Sequence, residues 1–156
     1  MQSERRLIEN RVTRLCGLIR KIDDDEIKAE LTQHLCVLTS GLLEVCCRDI
    51  LEKYSKVRCS PQVLRHITKS ISGFQNANAQ KIFDLFSSFD PVVTADWQRN
   101  LLEEETEGIN SIVTNRHQIA HGRSIGLSFD VLYRYYKSAL SALQKLEAIF
   151  PGNKGE

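Results

Sequence analysis

An all-α fold is what this sequence predicts, on three observations. Apolar residues recur at the 3.6-residue spacing of buried helix faces in several separate stretches, and no stretch alternates as a half-buried strand would. Only three prolines and eight glycines punctuate 156 residues. Leu, Ile, Glu, Lys and Arg dominate the remainder, and most of these are strong helix formers.

At this length one domain, residues 1–156, can bury a sizeable core without disulfide or metal. The balance of 42% hydrophobic and 26% charged residues is ordinary for a folded soluble chain. A net charge of +1 gives no global positive field, so any nucleic-acid site has to be a local patch. Five cysteines, with no C-x-x-C pair and three in one apolar run, read as buried reduced thiols. The N-terminus is charged and lacks an apolar signal core, and no apolar run is long enough to cross a bilayer. The chain therefore reads as cytoplasmic, with no membrane contact.

Ser3 opens a first amphipathic helix carrying Leu7, Ile8, Val12, Leu15, Cys16, Leu18 and Ile19 on or near one face. Asp23, Asp24, Asp25 and Glu26 break that pattern and load acid at the next helix start, where the helix dipole favours it. The longest helical signal follows, from about Glu26 to Lys56. Its apolar arc widens between Leu35 and Cys47 until the helix reads as nearly surrounded, and at about 1.5 Å per residue it would reach roughly 45 Å, a central pillar. Glu44 and Arg48 interrupt the buried stretch at ion-pair spacing. They either satisfy each other at the bundle edge or support polar groups elsewhere.

Ser60-Pro61 predicts an N-cap with proline at the first helical position, opening a short helix that stops at Gly73. Between Arg48 and Lys69 lie six basic residues, the other four being Lys53, Lys56, Arg58 and Arg65, against the acids Asp49 and Glu52. This neighbourhood is either a solvated face or a track for an RNA backbone. Asn76 to Phe89 reads as another short helix, closed by Asp90-Pro91, and Pro91 to Trp97 as a loop anchored by Trp97. The region 60–97 thus reads as an irregular helical insertion.

Leu101 begins the helix that carries the chemistry. Ile109, Ile112, Val113, Ile119 and Ala120 mark its apolar stripe, and Arg116 falls inside it. A guanidinium there is costly to desolvate and calls for an anion or a strong acceptor. His117 and His121 lie on the adjacent polar edge with Thr114, and Gly122 predicts a left-handed cap. Ser128 then caps a last amphipathic helix that ends at Pro151.

His117 and His121 have the spacing of a helical zinc pair, but Gln118 stands where a metalloprotease places its glutamate base, and no third ligand is evident. A Cys-His nucleophile is disfavoured because cysteines in apolar runs have raised pKa values. No glycine-rich phosphate loop occurs. Neither metal nor cofactor is expected.

The string Asn115-Arg116-His117-Gln118-Ile119-Ala120-His121-Gly122 resembles the R-x4-H signature of HEPN domains. Together with the long helix containing Ser40 to Leu51, the insertion and the last helix, it resembles the RiboL-PSP group over about residues 27–150. The resemblance implies a HEPN-like helical bundle that dimerises through its motif helices. It implies a metal-independent endoribonuclease, commonly a toxin or a phage-defence effector controlled by an antitoxin or neighbouring defence protein. The alternative is a non-catalytic RNA-binding or dimerisation module. On this reading Arg116 and His121 are catalytic and His117 is an auxiliary. Asn115, Glu44 and Arg48 support them, and Lys53, Lys56, Arg58, Arg65, Lys69 and Arg123 hold RNA. Arg116 and His121 stand about 140° apart around an ideal helix, so they do not share one narrow stripe.

Overall fold

The structure, a computed structural model, describes residues 2–153. It contains α1 (Glu4–Ile19), α2 (Asp25–Lys56), α3 (Pro61–Ile71), α4 (Ala79–Ser87), α5 (Pro91–Asn100), α6 (Glu103–Ala120) and α7 (Phe129–Ile149), and no strand among the described residues. No helix is long and apolar enough to cross a membrane.

Helix starts follow local chemistry. The side chains of Ser3, Asp24, Ser60, Asn78, Asp90 and Ser128 each accept a hydrogen bond from a backbone N–H in the first turn of the helix that follows. Helix α6 differs because Leu102 stands at its N-cap and has no acceptor to offer. Glu105 compensates by reaching back to accept from the Leu102 N–H at 2.9 Å.

Helix α2 is the pillar the spacing predicts, and residues on several of its faces are buried, among them Leu35, Thr39, Leu43, Cys47 and Leu51. It packs against α1, α3, α6 and α7. Ile27, in the first turn of α2, is exposed although its spacing continues the apolar pattern of the helix. Leu7 and Leu18 of α1 are exposed as well, flanking the buried Val12, Leu15, Cys16 and Ile19. One end of the bundle is tied by Arg5, which donates to Glu9 of its own helix, to Asp49 of α2 at 3.1 Å and to Glu147 of α7 at 2.8 Å. At the other end the Arg20 guanidinium lies 4.8 Å from the centroid of the Tyr133 ring, fixing the end of α1 to α7.

The region between α2 and α6 is more regular than the sequence suggests. Pro91 to Trp97 is not a loop: it is most of α5, with Asp90 as N-cap and Pro91 at the first helical position. The same Asx/Ser-Pro signal that opens α3 at Ser60-Pro61 operates here, so proline starts a helix rather than ending one. Trp97 is buried and its indole N–H donates to the Ala142 carbonyl at 2.9 Å. Helix α4 begins at Ala79, after Asn76 has taken a positive φ of 55° that a helix does not admit.

Helices α6 and α7 make the closest approach in the bundle. A Cβ placed on Gly108 would lie 2.6 Å from the Tyr135 carbonyl oxygen and 3.0 Å from the Ser138 Cβ. The buried Glu105 clamps the same pair: it accepts from Ser141 Oγ at 2.6 Å and from Lys145 Nζ at 2.8 Å. Burial works to raise the Glu105 pKa, but the Lys145, Ser141 and Leu102 donors outweigh it and hold the carboxyl below its ordinary value of 4.5.

Two outcomes follow. Gly108→Ala should cost about 1–3 kcal/mol, read as a lower midpoint in urea unfolding, because the added methyl meets backbone rather than a side chain that can turn away. Glu105 binds protons less readily folded than unfolded, so its contribution is present above pH 4.5 and is lost as pH falls through its folded-state pKa. The wild type should therefore be more stable than Glu105→Gln at neutral pH, and the difference should shrink on acidification below pH 4.5.

Candidate functional site

Helix α6 loses its cover before it ends. Its last fully buried residues are Ile112 and Val113, Arg116 and Ile119 are half-buried, and Ala120 is exposed. The apolar stripe that the sequence continues to Ala120 therefore leaves the core one turn early. The reason is geometric: α7 begins only at Phe129, after the chain has turned back, and leaves the final turn of α6 partly open.

The turn itself is tightly closed. Gly122 takes a φ of 69°, its N–H donates to the Ile119 carbonyl at 3.0 Å, and the Arg123 N–H donates to the Gln118 carbonyl at 3.0 Å. This is a Schellman termination, which requires the left-handed residue that glycine supplies. It holds His121 at the C-cap, next to a fixed chain reversal.

His117 and His121 are both exposed, with ring centroids 4.4 Å apart and the rings tilted edge to face at 69°. Arg116 makes no hydrogen bond or ion pair among the described residues, although it is half-buried. The structure brings the two imidazoles together; Arg116 stays on the core side of the helix, as the 140° separation requires. Asn115 turns its amide inward, donating to the Ser111 carbonyl of its own helix at 2.8 Å.

Glu44 and Arg48 sit elsewhere and do not pair with each other. Glu44 Oε1 accepts from the Asn76 N–H at 2.8 Å, and Arg48 donates to the Phe74 carbonyl at 3.2 Å. Their role here is to pin the connection between α3 and α4, where the left-handed Asn76 leaves backbone groups without helical partners. Ion-pair spacing on one helix could not reveal that a connection some thirty residues on supplies better partners for both side chains.

The basic residues divide as well. Residues 25–32 of α2 line a cavity with residues 127–130, just beyond the histidines, and Cys36 lies against Ile112 with Sγ 3.6 Å from its carbonyl oxygen. Helices α2 and α6 are thus antiparallel, and Lys53 lies 17 residues past Cys36, about 25 Å in the direction away from the motif. Lys53 pairs with Asp49 at 2.7 Å. Arg58 covers the Tyr54 ring at 3.8 Å and donates to the Tyr54 and Pro151 carbonyls, so it braces the end of α2. Lys56, near the C-terminal end of α2, and Arg65 and Lys69 of α3 are exposed. Arg123 alone of the six is beside the histidines, where it donates to Gln118 Oε1 at 2.9 Å.

Among the described residues, no group of three or more His, Cys, Asp or Glu is arranged to hold a metal ion. The cysteines are free thiols, four of them buried. Burial pushes Cys36 and Cys46 up to about 12, and Cys47 well above its ordinary range. These three are not poised as nucleophiles at neutral pH.

A model of the RiboL-PSP-HEPN family matches residues 3–150. The chain belongs to that family. The match takes in α1, which the resemblance read from the sequence, starting at residue 27, leaves out. Comparison with curated proteins and with solved structures finds no match. The protein is thus a HEPN-type module, of a kind that is frequently a ribonuclease and often binds RNA and dimerises.

The placement of Glu44 yields a stability prediction distinct from any effect on the histidines. Glu44→Ala leaves the Asn76 N–H without its acceptor and should cost about 1–3 kcal/mol. Hydrogen exchange should accelerate in residues 74–78 and stay unchanged in the last turn of α6.

Proposed function

We propose that this HEPN module is a metal-independent endoribonuclease acting as a homodimer. The observation that carries the reading is Arg116. Arg116 is half-buried as a residue near the helix end, and its guanidinium, which has no partner among the described residues and is not sealed in the core, is free to meet an anion. Two solvent-facing imidazoles stand one turn around the same helix end.

The chemistry that these groups suit is transesterification of RNA. The 2′-oxygen forms a bond to the adjacent phosphorus while the bond from phosphorus to the 5′-oxygen breaks. One imidazole takes the 2′-hydroxyl proton and another protonates the departing 5′-oxygen, leaving a 2′,3′-cyclic phosphate and a 5′-hydroxyl. Arg116 stabilises the added negative charge on the phosphoryl oxygens, which is the charge stabilisation that a metal would otherwise provide.

Arg116 and His121 point to different sides of one helix, so a single chain does not serve one phosphate with both. A two-fold dimer that apposes the ends of α6 sets Arg116 of one protomer against the partner's His121, and supplies the second imidazole. The half-buried Ile119 and the exposed Ala120 support this face as the contact, since the apolar stripe continues there while the bundle's cover thins. His117, 4.4 Å from His121, orients it or the substrate. An effector of this kind belongs with toxin or phage-defence systems, and an antitoxin or neighbouring defence protein is the partner to look for.

The test is cleavage of a mixed RNA pool in EDTA. Wild type should cut, and Arg116→Ala and His121→Ala should each lose about 10²–10⁴-fold in rate while remaining folded and dimeric. RNA substituted with 2′-deoxyribose should stay intact. Equal cutting by all three proteins would sink the assignment, as would cutting of the deoxy strand.

A further inference from the structure

A groove runs along α6 from Thr114 back to Leu102, walled by α4, α5 and α6. One cavity, about 410 Å³, reaches Thr114, and a second, about 430 Å³, reaches Leu102; Gln80 and Asn110 line both, so the two lie side by side along α6. Around an ideal helix Glu103, Asn110, Thr114, His117 and His121 fall within an arc of about 60°. The groove and the two imidazoles therefore share one face of α6, and Asn110 lies about 16 Å along the axis from His121.

The lining is chemically selective. Across both cavities one ionisable side chain, Glu103, is present, and there is no cation. A phosphate finds no counter-charge there. A flat neutral group with donors and acceptors does find partners, because the half-buried Phe83 ring contributes aromatic surface and amides line the walls. The amides have fixed polarity. Asn110 Oδ1 is occupied by the Ala79 N–H at 2.9 Å, which leaves its NH₂ to donate. Gln80 gives its NH₂ to Asp84 Oδ1 at 2.9 Å, which leaves its oxygen to accept. Glu103 adds a second acceptor.

Resting on the ribonuclease reading above, we propose that this groove seats a base of the substrate RNA, displaced along the strand from the scissile phosphate, and selects one with an exocyclic amino group. Such a base offers an N–H₂ donor beside a ring acceptor, the complement of Gln80 or Glu103 beside Asn110. Single-stranded RNA is the form that can splay a base into a side groove while its backbone stays outside. The groove then sets where the strand is cut, and the histidine end of α6 does the cutting.

The experiment pairs cut-site mapping with a binding measurement that needs no turnover. Cut sites are mapped on a random RNA pool, and affinities are measured for 2′-O-methyl oligonucleotides rich in cytosine and adenine against an all-uracil strand. Wild type should prefer the amino-bearing strands by about tenfold, with cut sites at a fixed offset from such a base. Gln80→Ala and Glu103→Gln, both at exposed positions, should each flatten that preference to about twofold in binding and in mapping. Lys28→Ala, in the separate cavity between α2 and α7, should retain it. Cutting without base preference, or a preference that both groove variants keep, overturns this inference and leaves the ribonuclease reading standing. Selective binding without any cutting overturns that reading and upholds the groove. A wild type that binds none of the oligonucleotides overturns the groove proposal outright.

Discussion

The rotation of α6 about its own axis is fixed by its contact with α7, and the character of the site follows from that rotation. Gly108 admits the α7 backbone so closely that no side chain fits between. One turn earlier Glu105, buried and hydrogen-bonded to Ser141 and Lys145, prevents the helix from turning. With residues 105, 108, 109 and 112 committed inward, 3.6-residue periodicity sends His117 and His121 outward and keeps Arg116 on the core side. The imidazoles are open to solvent because a carboxylate some three turns away is not. An orientation set by backbone approach and a multiply bonded buried carboxylate is also stiffer than one set by apolar packing alone, which suits a site that must hold several groups in register.

Charge is distributed to a different plan from the chemistry. The part of the main basic stretch from Arg48 to Arg58 lies toward the end of the pillar opposite the histidines. There Lys53 and Arg58 serve the fold through Asp49, the Tyr54 ring and the carbonyl of Pro151. At the same end Arg5 joins three helices through three carboxylates. A half-buried guanidinium with three anionic partners is a structural tie. Arg116, half-buried as a residue, has no such partner among the described residues.

Local signals in the sequence were legible wherever the physics is local. Helix caps at Ser3, Ser60 and Ser128 and the glycine termination at Gly122 are decided by groups within four residues, and the structure places them where the pattern puts them. Asp90-Pro91 misleads because one dipeptide can end a helix before it or start one after it; the choice depends on Trp97 finding the Ala142 carbonyl, 45 residues away. Glu44 and Arg48 mislead for the same reason, since i,i+4 spacing describes one helix and says nothing of a connection that competes for both side chains. The groove along α6 was half legible. Asn110, Thr114, His117 and His121 share a helical face in the bare sequence, but the wall facing them depends on how α4 and α5 pack, which no periodicity contains.

The separation of Arg116 from His121 bears on why such a module would work in pairs. On a helix of ideal pitch the interval of five residues is among the poorest for joint action, because it carries the second residue well over a third of a turn past the first. Intervals of three or four would let one chain present both groups to one phosphate. The five-residue interval instead leaves each protomer with an imidazole on one side of α6 and a guanidinium on the other. Two such helices related by a two-fold axis would present the same face to each other, so that Arg116 of one could meet His121 of its mate and the reverse. A chain built in this way holds its cation and its proton-transfer groups apart until the contact forms. On the proposed dimeric reading, assembly rather than folding would complete the site, and a partner that covers the exposed Ala120 would interfere with it.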